Sequence, residues 1–491
     1  NTVIIDAFVK GKVRDYLSDL NERLGGLGFS GSVASMQCFG GVTDSQFASP
    51  ISTIESGPVG GVMGSKYLAR LTGEENVITT DVGGTTFDVS VIRGGEEIIA
   101  REFFGAAGVM SRFEVLTPRV DINSVGAGGG TIASYDPASH SIKFGPKSAG
   151  SSPGPVFYGT GGERVTLADA WLTLGYLNPK RFLGGRIYVD AGAARAAIED
   201  QIAKPLGMDV NQAALAILRL ANHHMSDAIK VYLAARGQDV EDFSLFAFGG
   251  GGPMHAAAYG RLAGVKRTYL IANGGVFSAF GIALADTKHK QQMTLLEREP
   301  FDLQALATSF EKLNQNLDGQ FERQGLGEAA ITYRYFLDLR YRGQVHDATV
   351  EIPDPDWFLN GGMASIRERF DEHYQTTFDT TASAYSEIEL VGLGLDGVAQ
   401  LAKPSLLAGE ASGEMPTPKG ERQAWFEDAD EPLSVPIFEH AGLCADQEIS
   451  GPAFVEDDYH TIIVLPGQSA RVDGFGNLVI EHGAREGRSN E

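Results

Sequence analysis

The sequence predicts an α/β fold, and three observations carry that prediction. Short β-branched runs alternate with amphipathic helical stretches along much of the chain. One such run enters Thr80-Asp81-Val82-Gly83-Gly84-Thr85-Thr86-Phe87-Asp88-Val89, where a glycine pair turns the backbone into a second strand. Far downstream, Ser244-Leu245-Phe246-Ala247-Phe248 feeds Gly249-Gly250-Gly251-Gly252-Pro253, with proline where a helix would start.

At 491 residues the chain exceeds one ordinary core, so two or three domains are expected. A 43% hydrophobic share can fill sizeable cores. The formal charge of −23 is a poor match for nucleic acid. No apolar run approaches a membrane helix, and no signal-peptide pattern opens the chain. Cys38 and Cys444 form no metal-spaced pair, which fits a reducing cytoplasm better than a disulfide scaffold. These features predict a cytoplasmic chain with neither nucleic-acid nor membrane partners.

In chain order, Val3, Ala7, Val13, Tyr16 and Leu20 fall at helical spacing. Val77–Thr80 and Phe87–Ile92 read as strands on either side of the glycine turn. Asn211 to Arg236 is the clearest helix: Leu215, Leu218, Met225, Ile229 and Tyr232 make one apolar stripe, and Gly237 stops it. His224, near a second stripe of Ile217, Ala228 and Val231, reads as a satisfied core histidine. Ala256, Ala257 and Ala258 continue the helix begun at Pro253. The expected organisation is a core over 1–300, an α/β connecting domain over 301–402, a Pro/Gly-rich linker over 403–423, a β-rich C-terminal domain over 424–482 and a polar tail over 483–491.

The chemistry concentrates in the two glycine turns. The N–H groups of Gly83, Gly84, Thr85 and Thr86 form a nest suited to phosphate oxygens. Asp81 and Asp88 supply the one or two carboxylates that a hydrated Mg2+ prefers. Gly249, Gly250, Gly251 and Gly252 at a helix start would let phosphate or adenosine approach the backbone closely. No Gly-Lys-Ser/Thr follows, so this is not a Walker loop. Asp81 and the Gly249–Gly252 turn should face one cleft.

An aspartate hairpin followed by a later glycine turn resembles the actin/sugar-kinase/Hsp70 superfamily. More narrowly, the chain resembles the hydantoinase A/oxoprolinase family. That likeness rests on Ser56-Gly57-Pro58-Val59-Gly60-Gly61, Asp81-Val82-Gly83-Gly84-Thr85, Ser124-Val125-Gly126-Ala127-Gly128-Gly129-Gly130 and Ser148–Pro155. It continues through Phe248–His255, Arg340-Tyr341-Arg342-Gly343-Gln344 and Gly451–Glu456. The resemblance implies an RNase H-like nucleotide-binding core with a β-rich C-terminal domain, ATP and Mg2+ as cofactors, and Asp81, Asp88, Asp121 and His255 as catalytic candidates. Its implied partners are a larger hydantoinase B-type subunit, in some family complexes a small third subunit as well, and a ketone or cyclic-amide substrate.

Two departures from the family pattern stand out. Relatives carry an earlier Asp-Val-Gly-Gly-Thr loop, so an upstream segment of about 200 residues, a usual domain size, is expected to supply it, on this polypeptide or a partner. Many relatives also have Asp-x-His where this chain has Asp121-Ile122-Asn123. Glu55 and Leu174–Pro179 look closer to ketone carboxylase subunits, which phosphorylate substrate or bicarbonate before carboxylation. The alternatives are an amidohydrolase subunit that phosphorylates a cyclic amide, a non-catalytic scaffold, and an Hsp70-type switch; the family-specific loops at 124–130 and 148–155 argue against the switch.

Overall fold

The computed structural model describes residues 2–104, 112–186, 188–345, 347–378, 386–427 and 429–483. The predicted tail lies outside these residues from 484 onward.

Apolar runs buried on both sides become the centre of a nine-stranded mixed sheet. Its middle is built from β1 (Val77–Val82), β2 (Phe87–Arg93), β3 (Ser244–Phe248), β4 (Arg267–Leu270) and β5 (Leu478–Glu481). Strand β3 runs parallel to β1 and β4, whereas β2 folds back antiparallel on β1. The parity of the strands divides the core into two. Ile78, Val82, Leu245 and Ala247 pack on one face, while Val77, Phe246 and Phe248 pack on the other.

On the first face lie α2 (Val210–Ala234) and α3 (Gly252–Ala263); on the second lies α1 (Ser56–Thr72). Helix α2 starts at a capping box, with Asp209 and Gln212 satisfying each other's backbone N–H groups. Its first predicted stripe is buried. The second is only partly so: Ile217 is buried and Ala228 half-buried, but His224 is exposed, with its ring 5.5 Å from that of Phe144, and Val231 is 65% exposed. His224 is therefore not a core residue, because that side of α2 turns to solvent.

A second antiparallel sheet brings together Thr287–Arg298, Ile331–Tyr341, Ala348–Ile352 and Ile388–Ala399. The helices Leu303–Arg323 and Pro355–Phe378 complete its own hydrophobic core. Residues 403–419 contain little regular structure. The β-rich C-terminal part divides between two sheets. Gly420–Ala424, Leu433–Glu439, Ala453–Glu456 and Thr461–Val464 form a four-stranded sheet. Glu448–Ser450, Ser469–Val472 and β5 instead extend the central sheet, with β5 antiparallel to β4.

Candidate active site

The β1–β2 hairpin closes on Gly83 to Thr86. The Gly83 N–H donates to the Thr86 carbonyl at 3.0 Å, so it is not free for a ligand. Gly84 and Thr85 are exposed, and their N–H groups have no acceptor among the described residues. The glycine-rich loop at 126–130 supports this turn from beneath. Gly129 donates to the Gly83 carbonyl at 3.0 Å and Gly130 to that of Gly84 at 2.6 Å. A Cβ at Gly128 would stand 2.6 Å from the Thr85 nitrogen, so this close approach requires glycine.

The second glycine turn lies against the first. Phe248 is in register with Asp81, and the Gly251 N–H donates to the Val82 carbonyl at 3.0 Å. Gly249 has φ +83°, and a Cβ there would come within 2.2 Å of Asp81 Oδ1. The Gly250 N–H is exposed and without an acceptor among the described residues. The two turns converge, but Asp81, expected in one cleft with Gly249–Gly252, lines a separate crevice.

Both turns open on a cavity of about 480 Å³, a size ordinary for small-molecule sites. Gly83, Gly84, Thr85, Gly250 and Gly251 line it; Thr86, Gly249 and Gly252 do not. Thr86 instead donates its hydroxyl to Asp88 Oδ2 at 3.2 Å, and Gly252 starts α3.

Asp81 and Asp88 stand at the end of the sheet on the α1 face, away from the aromatic part of the cavity. They line a small crevice with Pro58, Thr79, Ser90 and Phe248. Burial and then the charge of Asp88 push the Asp81 carboxyl up to about 6, against a hydrogen bond from Ser278 at 3.2 Å. Burial likewise raises Asp88, whose Oδ1 is buried without a hydrogen-bond partner. Two crowded carboxylates and an orphaned oxygen make a donor set that suits a hard divalent cation.

The structure does not bring Asp121 or His255 to the cavity. Asp121 is buried behind β2 in an ion pair with Arg236, and its carbonyl accepts from Ser90 and Tyr232 at 2.7 and 2.9 Å. His255 is fully buried; it accepts from Trp171 Nε1 at 2.7 Å, and its Nδ1 meets Asn222 Oδ1 at 2.6 Å. Burial holds it down to about 3, so the ring is neutral and accepts the Trp171 N–H. Asn123 sits in a short strand opposite Val89.

Sequence reasoning missed the cavity's other walls. The helix Leu167–Thr173 is held by a Thr166–Asp169 capping box, and Asp169 Oδ1 also accepts from Phe157 N at 3.0 Å. That fixes Trp171 against Gly129 and Gly251, where Cβ atoms would fall 2.8 and 2.9 Å from its ring. Phe157, Tyr158 and Met254 add apolar surface, and the hairpin loop from Glu456 to Thr461 forms the opposite side. The Thr-x-x-Asp spacing before Trp171 was the one sequence signal for this wall.

The fold and site together define an α/β nucleotide-binding core with a β-rich C-terminal part. The chain belongs to the hydantoinase/oxoprolinase family: that family's model matches residues 1–291, and its C-terminal domain model matches 297–482. Its relatives include the acetophenone carboxylase gamma subunit of Aromatoleum aromaticum, 32% identical over 98% of this chain and 66% of the relative. They also include the caprolactamase subunit alpha of Pseudomonas jessenii, 31% identical over 96% of this chain and 68% of the relative. Among solved structures, acetone carboxylase superposes with a TM-score of 0.83 at 29% identity, covering 98% of this chain and 69% of the other. The caprolactamase structure gives 0.78 at 31% identity, covering 98% and 70%. Named family members thus include ketone carboxylase subunits, a caprolactamase subunit and 5-oxoprolinases; the acetone carboxylation and the caprolactamase of the two solved structures are ATP-dependent. Among the described residues, no helix is long and apolar enough to cross a membrane.

Proposed function

We propose that this chain is the ATP-using subunit of a ketone carboxylase, acting with a larger hydantoinase B-type subunit. One observation carries the reading: the free N–H groups of Gly84, Thr85 and Gly250 meet at one cavity, at the turn of the hairpin whose strands carry the Asp81–Asp88 carboxylate pair on the other face. Those donors suit phosphate oxygens, and the apolar wall of Trp171, Phe157, Tyr158 and Met254 suits a nucleoside. Asp81 and Asp88 would hold Mg2+. Magnesium ATP supplies the transferable phosphoryl group, and the rigid hairpin contributes donors already in position as charge develops.

The higher TM-score of acetone carboxylase favours carboxylation over amide hydrolysis. The near-equal identity of the caprolactamase subunit keeps hydrolysis as the second reading. Single-turnover ATP cleavage with the partner subunit tests both. Ketone-dependent cleavage with uptake of labelled bicarbonate is the expected result. Lactam-dependent cleavage with ring opening would select the hydrolase, and no substrate-dependent cleavage would reject an enzymatic role.

A further inference from the structure

A group of side chains on the far wall of the cavity has no role in the reading above. Ala453–Glu456 and Thr461–Val464 form an antiparallel hairpin whose loop is Asp457-Asp458-Tyr459-His460. Asp457 shapes this loop: its Oδ1 accepts from the backbone N–H groups of Tyr459 and His460 at 2.7 and 2.8 Å. The other oxygen, Oδ2, lies 2.6 Å from His460 Nδ1. At that separation the two atoms form an imidazole–carboxylate pair, whereas the other ring nitrogen of His460, Nε2, is buried without a hydrogen bond. The His460 side chain is only 1% exposed. A ring nitrogen out of water and unpaired is a rare arrangement, because it loses its hydration and gains nothing.

The third member comes from a different strand end. His440 follows Leu433–Glu439, and its ring lies 6.0 Å from that of His460, nearly perpendicular to it. Its Nε2 meets the Gly476 carbonyl at 2.9 Å. An imidazole that donates one N–H to a backbone carbonyl presents the other nitrogen's lone pair, the usual outer-shell arrangement of a metal-bound histidine. One ligand atom each from His440, Asp457 and His460 lies within 4.8 Å of the other two.

We propose that His440, Asp457 and His460 form a binding site for a divalent transition metal of the zinc class. Two imidazoles and one carboxylate are a ligand set that zinc and its neighbours accept, whereas magnesium avoids imidazole. A bound cation would take the Asp457 oxygen and a His460 nitrogen as ligands together. Asp457 and His460 also line the 480 Å³ cavity, so a metal held there would stand at its wall. This site is chemically separate from the all-oxygen pair at Asp81 and Asp88, and it does not depend on the nucleotide reading.

The probe is Co2+, a spectroscopic substitute for zinc, added to the tag-free, chelator-treated full chain. One equivalent should give a visible ligand-field band that added Zn2+ removes. Asp457→Asn and His440→Gln should each weaken binding by roughly tenfold or more, the scale on which even outer-shell partners act. Both variants preserve side-chain size, and circular dichroism checks their fold. Asp81→Asn should leave the band unchanged, which separates this site from the magnesium site. No stoichiometric band in the parent chain, or full-affinity binding in both folded variants, would overturn the assignment and leave an imidazole–carboxylate pair.

Discussion

Asp81 and Asp88 are direct cross-strand partners in the β1–β2 hairpin, so their side chains leave the sheet on the same face. Like charges placed opposite one another and partly withdrawn from water destabilise the fold unless a cation joins them.

Asp81→Asn should therefore separate stability from activity. Turnover with magnesium ATP should be lost, while thermal stability at neutral pH should rise. The ordinary carboxyl value of 3.8 and the folded value of about 6 correspond to roughly 3 kcal/mol, an upper bound on the gain. Calorimetry beside an ATPase assay checks the pair; unchanged turnover would remove Asp81 from the mechanism.

The same carboxyl sets a pH dependence. Its value is raised on folding, so the folded protein holds the proton more tightly than the unfolded chain. Its stabilising contribution is complete below about 4 and is lost as pH rises through about 6. The stability gain of Asp81→Asn should accordingly shrink towards zero near pH 4. Protons and cation compete, so Mg2+ affinity should fall about tenfold from pH 7.5 to pH 5. Calorimetric titration at the two values measures this.

Gly128→Ala should displace the phosphate hairpin without touching a ligand. The added methyl group meets Thr85 and Thr86 backbone at 2.6 and 2.7 Å, atoms that cannot rotate away. A cost of roughly 1–3 kcal/mol and a raised KM for ATP are expected. An unchanged KM would show that the hairpin's position is not what binds nucleotide.

Asp121 and His255 should behave as structural residues. Asp121→Ala strands Arg236 and should cost roughly 3 kcal/mol while the folded fraction keeps its kcat. His255→Ala orphans the Trp171 N–H, so the melting temperature should fall and KM rise. Neither variant should remove a limb of the pH–rate profile near neutrality; loss of a limb would restore that residue as an acid or base.

Local features of the site were readable from residues in a row. Asp81 to Asp88 turns on its own glycines, and Ser244 to Gly252 is a strand and helix start that no distant contact is needed to explain. What failed depended on register or on partners far along the chain. The side of the sheet that Asp81 occupies follows from its alignment with Phe248, which periodicity does not supply. Trp171 and the loop at 457–460 reach the cavity from separate segments, and only folding brings them together. Asp121 and His255 were taken from motif position, whereas their burial and hydrogen-bond partners decide what they do.

Strand β5 has a consequence for biosynthesis. It covers the edge of β4, yet it is translated after the whole second sheet and most of the β-rich part. A nascent chain that has already made both glycine turns still presents β4 with a row of unpaired backbone groups, an invitation to the wrong strand. Completion of the ligand-binding sheet thus waits on almost the last described residues to leave the ribosome, and a polypeptide released prematurely would carry both turns on an unfinished sheet.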